Sequence, residues 1–376
     1  MNKNFLFALS VLLGTIVGAG IFGIPYVISK SGMIPGFFYF LILGGAVLLI
    51  HLFFGEIILR TKGEHRLVGL AQRYLGRWGK ALITISVLIG TTGALLAYLI
   101  LAGDFLKILF SPSFNLSAFH FTLFFWAILT YFIFRGIKLI APAELLTNLL
   151  FFLVIFIIFG FCLPKFSPSN LVAFSLPNAF LPYGVILFSL VGWSAIPEIE
   201  GIFRGPGEKR KIKTVIIWAT AIVITLYLAF ALIVVGVAGN RTSFDTLSGL
   251  TPFLGSKIVF FGALAGLITI ADSFLVLSLY LRNTFIYDFK FSKTLAFLAA
   301  CSLPLLLFLA GFRSFIGTIG FVGTVVGVLE GAAIILIFKR AKALGDRAPE
   351  YSLKMPSILL YFLMLILILG AMSQVF

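Results

Sequence analysis

Apolar residues in this chain fall in long blocks rather than in alternation, and the segments between blocks are short and mostly basic. A block of roughly eighteen residues or more crosses about 30 Å of hydrocarbon as an α-helix. The pattern predicts about eleven such spans: Phe5–Ser29, Pro35–Arg60, Lys80–Phe110, Ser117–Phe134, Ile140–Leu163, Asn178–Phe203, Thr214–Ala238, Leu254–Leu281, Ser292–Gly311, Ser314–Phe338 and Ser357–Gln374. The first block resembles a signal peptide in position. Its glycine-rich centre and its continuation through Pro25 predict that it is retained. No linker or low-complexity tract divides the chain, so residues 1–376 are expected to form a single all-α transmembrane domain.

Composition gives the same class. Of 376 residues 61% are hydrophobic and 11% charged, with a mean hydropathy of +1.16, outside the range of soluble domains. The net charge of +15 would suit nucleic acid if the basic residues were gathered on one face. They lie between the spans instead, which excludes that partner and makes the lipid bilayer the expected one. With the N-terminus in the cytoplasm, only Lys30, Lys107, Lys165, Arg241, Lys257 and Arg313 face outward, and the other 22 of the 28 Lys and Arg lie inside. This asymmetry predicts a cytoplasmic N-terminus and an extracellular C-terminus in the inner membrane of a prokaryote.

Two connections have a pattern of their own. Arg66–Tyr74 alternates apolar and basic residues at helical spacing and is expected to lie in the cytoplasmic interface. Gly239–Leu254, on the outer side, is expected to fold back as a cap. Cys162 and Cys301 sit inside apolar blocks, and His51, His65 and His120 are far apart, so neither a disulfide framework nor a metal centre nor any cofactor is expected.

Two spans are built to break. The first reads GTIVGAGIFGIP from Gly14 to Pro25, and the sixth reads SLVGWSAIP from Ser189 to Pro197. Glycine weakens a helix and proline removes a donor. Close packing through small residues explains some of these glycines, but not the run of Gly-Ala-Gly followed by Gly-x-Pro. Val17-Gly18 before Ile24-Pro25 echoes Val191-Gly192 before Ile196-Pro197. Interrupted segments at matching places in two inverted halves mark a transporter's binding site. Freed amides near Gly18, Ala19 and Gly20 would suit a carboxylate, and freed carbonyls near Ser189, Leu190 and Val191 an ammonium, with Ile21 and Gly192 in the same binding set. Trp193, inside the second break, is placed to stack on a substrate or gate it. The expected ligand is a zwitterion.

Acids inside a membrane need a partner, water or a proton. Glu56 with Arg60, Glu200 with Arg204 and Asp104 with Lys107 have the spacing of interfacial pairs, and Glu144 starts the fifth span. Asp272, Glu330 and Glu198 are the candidates for carrying an ion: the first two by depth, the third by its place just past the second break. His51 is expected as a packed polar residue. No catalytic cluster is present, so an enzyme is not expected, and a channel filter would need a symmetric ring that the broken pair does not supply.

At these residues the chain resembles the amino acid/auxin permease family of the amino acid–polyamine–organocation superfamily, and most of all its bacterial tryptophan/tyrosine permease branch. GTIVGAGIFGIP is similar to the branch's first-helix signature, LFSLVGWSAIPEI to its broken sixth helix, and ITIADSFLVLSLYLRNTFIYD (Ile268–Asp288) to its eighth. The resemblance implies a LeuT-like fold: one repeat at about 5–163, an inverted one at about 178–338, and an extra helix at about 357–374. It implies import of neutral, including aromatic, amino acids with protons. Sodium is the alternative, held by Asp272, Ser273 and first-helix carbonyls, in a fold where the eighth helix faces the first half of helix one. Several sodium-coupled relatives have asparagine at the position of Gly14, which this chain lacks. The ion-coupling set is thus Asp272, Ser273, Gly14, Val17, Glu198 and Glu330.

Overall fold

The computed structural model describes residues 3–372 apart from 64, 111–113, 136–140, 173, 206 and 288, and gives the backbone but not the side chains of 141–148 and 287. The described residues contain helices and no strand. They are α1 Lys3–Ile16, α2 Gly20–Ser31, α3 Met33–Arg60, α4 Leu67–Phe110, α5 Ala118–Arg135, α6 Ala141–Cys162, α7 Pro182–Leu190, α8 Ile196–Ile202, α9 Lys211–Ala238, α10 Leu247–Leu254, α11 Ser256–Tyr287, α12 Lys293–Leu309, α13 Phe315–Leu344 and α14 Ser357–Met372. Seven segments are long and apolar enough to cross a bilayer, with α7 and α8 taken as one (Pro182–Ile202). The pair α1 and α2, bent by 54°, makes an eighth, and shorter apolar helices cover Leu149–Lys165, α12 and α14. The chain is a multi-pass membrane protein. Its outer surface bears this out: Phe37, Phe38, Leu41, Trp218, Phe321 and Ile358 are exposed, a stripe of apolar surface that only lipid would cover.

Packing divides the helices into two groups. In one, α1, α2, α3, α7 and α9 pack on each other; in the other, α4 packs with α5, α11 and α12. Helix α13 stands between them, against α4, α7 and α3. It gets there through small residues, as membrane helices do when no hydrophobic force draws them together. A Cβ on Gly323 would lie 1.9 Å from the Gly184 carbonyl oxygen, and one on Gly184 would lie 2.1 Å from that of Gly320. Backbone meets backbone here, so nothing can give way.

The 66–74 and 239–254 connections each differ in an informative way from a solvated loop. The 66–74 segment is helical, as its pattern predicts, but it joins the third span as one helix with a kink at Gly76 (φ 80°). Its apolar face is not left for lipid headgroups: Leu67, Leu70, Ala71 and Tyr74 are buried in the protein. The Tyr74 hydroxyl lies 2.8 Å from that of Thr61, and Arg340 donates to the Tyr74 carbonyl at 2.6 Å. Asp346, just past α13, accepts from the Lys62 amide at 2.8 Å and from Arg73 at 2.5 Å. The Lys62 amide first, and then the Arg73 guanidinium, hold its carboxyl below the usual carboxylate range. Its grip is therefore present above that range and is lost only as pH falls through the depressed value. The Gly239–Leu254 segment does fold back. Thr246, buried at φ 64°, donates to the Phe22 carbonyl at 2.5 Å, and the buried Asp245 accepts from the Ser248 amide and hydroxyl.

The glycine contacts make a direct prediction. Gly323→Ala should lower the thermal midpoint in detergent, at a cost of about 1–3 kcal/mol from overpacking. Gly45→Ala, with no heavy atom within 4 Å of the added carbon, should leave it unchanged. Equal midpoints for the two variants would show that the α7–α13 contact is looser than described.

Candidate functional site

Both predicted breaks exist, and they meet. Helix α1 ends at Ile16 because the Gly18 amide turns back to the Ile16 carbonyl at 3.0 Å, and α2 begins at Gly20. Helix α7 ends at Leu190; Val191 is extended, Gly192 leaves helical geometry, and a single turn at Trp193–Ala195 leads into α8. A Cβ on Gly20 would lie 2.3 Å from the Ser189 hydroxyl, and one on Gly192 would lie 2.3 Å from Ile16 Cγ1. Each break supplies the glycine that lets the other approach.

Two buried side chains then satisfy exposed backbone ends, and a third contact ties down the Trp193 side chain. Tyr227 of α9 sets its hydroxyl 3.0 Å from the Ile16 carbonyl and 3.2 Å from that of Ser189, so one proton is shared between the two broken ends. His51 of α3, fully buried, accepts the Gly192 amide on Nε2 at 3.2 Å, which puts its own proton on Nδ1 facing Thr220. The packed role expected for His51 is the one it has. Trp193 donates its indole N–H to Glu330 Oε2 at 2.6 Å, and Ser86 of α4 donates to Oε1 at 3.1 Å.

The residues expected to bind substrate lie together at this junction. Ala19, Gly20, Ile21, Ser189, Leu190, Gly192 and Trp193 are buried, and Gly18 and Val191 are partly so; of the ion-coupling set, Val17 is buried and Gly14 partly buried. Two details differ from expectation. The Gly18 amide is taken by Ile16, which shifts the open donors to Ala19 and to the first amides of α2, Gly20 and Ile21. The Ser189 carbonyl is taken by Tyr227, which leaves the acceptor role to Leu190 and Val191.

The acids separate by environment. Glu56 pairs with Arg60 at 2.8 Å as predicted, and also accepts from Ser352 and the Leu353 amide. Glu200 does not pair with Arg204: its partner is Lys209, which the following turn brings back beside it, while Arg204 donates to the Gly201 carbonyl. Asp104 makes no ion pair within 4 Å among the described residues; Lys107 is near it, and so is Asp245 of the 239–254 segment. The Glu144 side chain lies outside the described residues. Glu198 is exposed and pairs with Arg66 at 3.0 Å. It does not line a buried path, because α8 turns it toward the loop that precedes α4. Glu330, a candidate by its depth alone, is the acceptor for Trp193. Asp272 is partly buried on α11 with no hydrogen bond or ion pair among the described residues. The next residue, Ser273, reaches the Tyr98 hydroxyl, and that hydroxyl is 3.2 Å from where a Gly18 Cβ would stand. Helix α11 itself packs chiefly on α4, α6 and α12. Among the described residues no group of three or more His, Cys, Asp or Glu comes together to hold a metal.

Tyr98, Tyr227 and Ser86 were not anticipated. The available signal was their position: a tyrosine in mid-span needs a partner for its hydroxyl, and a broken helix has carbonyls in need of one.

A multi-pass bundle in which two broken helices meet, with polar side chains directed at the breaks, is the build of a membrane transporter. The sequence matches the model of the Tryptophan/tyrosine permease family over residues 1–374, and the chain belongs to that family. It is similar to glutamine transporter 2 of Aliivibrio fischeri, with 22% identity over 86% of each chain. It is also similar to tyrosine-specific transport system 2 of Haemophilus influenzae, with 28% identity over 70% of this chain and 69% of that one. The protein is a permease and not an enzyme, and amino acids are the class of solute it carries.

Tyr227→Phe removes the donor of the Ser189 carbonyl and leaves the Ile16 carbonyl with the Gly18 amide alone. It should cost about 1–3 kcal/mol, read as a lower thermal midpoint in detergent. A midpoint equal to that of the parent would show that water or another group satisfies both ends.

Proposed function

We propose that this permease is a secondary active importer of neutral amino acids, aromatic ones among them, working by alternating access and driven by protons. The interlocked breaks carry the reading. Their donors at Ala19, Gly20 and Ile21 form the positive end of α2 and suit a carboxylate. Their acceptors at Leu190 and Val191 form the negative end of α7 and suit an ammonium. Gly18, Ser189, Gly192 and Trp193 complete the binding set. Names given to relatives, tyrosine-specific and glutamine transporters, favour an uncharged side chain.

The LeuT-like arrangement belongs to the proposal, with 5–163 and 178–338 as inverted halves and 357–374 as an added helix. Support comes from the seven long segments, one bent pair and three shorter apolar helices, and from the two packing groups, which suit one body rocking against another. The basic residues favour an N-terminus in the cytoplasm and a C-terminus outside.

For coupling we assign Asp272 and Ser273, with the Gly14 and Val17 backbone as further oxygen ligands if the ion is sodium. A carboxylate without a partner at this depth is costly while charged, so it should hold a proton or cation for part of the cycle. Glu198, exposed and paired with Arg66, has no place on this route.

Counterflow of all twenty amino acids in proteoliposomes, followed by uptake under imposed pH or sodium gradients, tests the reading. Neutral amino acids should exchange, and a proton gradient should concentrate them. Asp272→Asn should abolish concentrative uptake and retain exchange. Accumulation by Asp272→Asn with unchanged pH and sodium dependence would overturn the assignment, and uptake that follows sodium alone would replace the proton.

A further inference from the structure

Glu330 is a carboxyl group held in two ways at once. It sits midway along α13 with 6% of its surface exposed. Its Oε2 faces the Trp193 indole, which only donates, so that bond survives whether the carboxyl is charged or neutral. Its Oε1 faces the Ser86 hydroxyl, which can donate to a carboxylate or accept from a carboxylic acid. The pocket can therefore hold either form without leaving a buried polar atom unpaired.

The groups on the helices around α13 are committed elsewhere. From α3, His51 meets the Trp193 ring edge-on at 6.0 Å, with Nε2 engaged by Gly192; further along α3, Glu56 and Arg60 pair with each other. From α7, Tyr183 donates to the Leu367 carbonyl, and from α4 Tyr98 is engaged by Ser273. Lys30 of α2 lies over the Tyr26 ring, and Lys339 donates to Tyr361 of α14. No Lys or Arg acts on Glu330 among the described residues.

We propose that Glu330 takes up and releases a proton during transport, and that its charge sets how firmly α13 holds Trp193 and with it the break between α7 and α8. Ionised, it makes a charge-assisted bond to the indole, roughly twice the strength of a neutral one. Trp193, and Gly192 beside it, are then pinned to α13 and α4. Neutral, it holds the indole more weakly, and the break moves more freely against α13. Glu330 is in this sense a positioning residue that does not touch substrate. The consequence for transport rests on the function proposed above; the indole contact does not.

The test has two arms. The four tryptophans of the whole protein are labelled as 5-fluorotryptophan, and the Trp193 fluorine resonance is assigned by its loss in Trp193→Phe. Between about pH 5 and pH 9 this resonance should titrate in the parent and stay fixed in Glu330→Gln, which keeps an acceptor but not the charge. A resonance that does not move in the parent overturns the proposal. So does a titration that persists in Glu330→Gln and disappears in His51→Gln. In counterflow, Glu330→Leu should raise KM roughly fivefold by removing the acceptor, and Glu330→Gln should remove the pH dependence of KM. Unaltered pH dependence in Glu330→Gln would also overturn it. Titration of the resonance in a protein that exchanges no amino acid would sink the transport reading alone.

Discussion

A helix end cannot be left open in a membrane, because lipid offers no hydrogen bond and each unmet backbone group costs several kcal/mol. Two helices of this chain nonetheless break in the interior of the bundle. The structure resolves that conflict by placing the breaks against each other. Gly20 admits Ser189, Gly192 admits Ile16, and the Tyr227 hydroxyl spans the Ile16 and Ser189 carbonyls. The surrounding helices supply the partners that hold this junction in register. Helix α9 supplies the tyrosine, α3 supplies His51 for the Gly192 amide, and α13 reaches in through a glycine contact to present Glu330 to Trp193.

Satisfying some ends while leaving others open is also what makes the junction chemically useful. Tyr227 uses up one carbonyl from each break, and Ile16 uses up the Gly18 amide. What is left is a short set of donors at the start of α2 and a short set of acceptors at the end of α7. Outside this junction the polar side chains work as fasteners. Glu56, paired with Arg60, ties α3 to Ser352 and Leu353; Asp346 ties Lys62 and Arg73 to the end of α13; Thr246 ties the 239–254 segment to Phe22. Asp272 and Asp104 are the exceptions, partly buried acids with no hydrogen bond or ion pair among the described residues.

Much of this was legible in the sequence, for physical reasons that can be stated. Long apolar blocks can only be membrane spans, and a Gly-Ala-Gly run before Gly-x-Pro can only be a poor helix, so the class, the helices and both breaks could be read directly. Glu56 with Arg60 was legible because a four-residue spacing within one helix fixes the geometry. Glu200 was misassigned to Arg204 for the same rule applied too far: α8 ends at Ile202, and a turn beyond a helix end brings Lys209 instead. The contacts of Glu330 and Tyr227 join residues 137 and 211 positions apart, and no periodicity within a helix encodes a pairing across helices. The 66–74 segment shows a related limit. Amphipathic spacing says that one face is apolar, not whether lipid or protein covers it.

The central claim is that opposed backbone ends at the two breaks recognise both charges of an amino acid. It is tested most directly by competition in counterflow between the best substrate and two analogues with the same side chain, the decarboxylated amine and the methyl ester. Each analogue loses the charge that one or two charge-assisted hydrogen bonds read, so each should compete at least roughly tenfold more weakly than the parent. An amine or an ester that competes as well as the intact zwitterion would contradict the account.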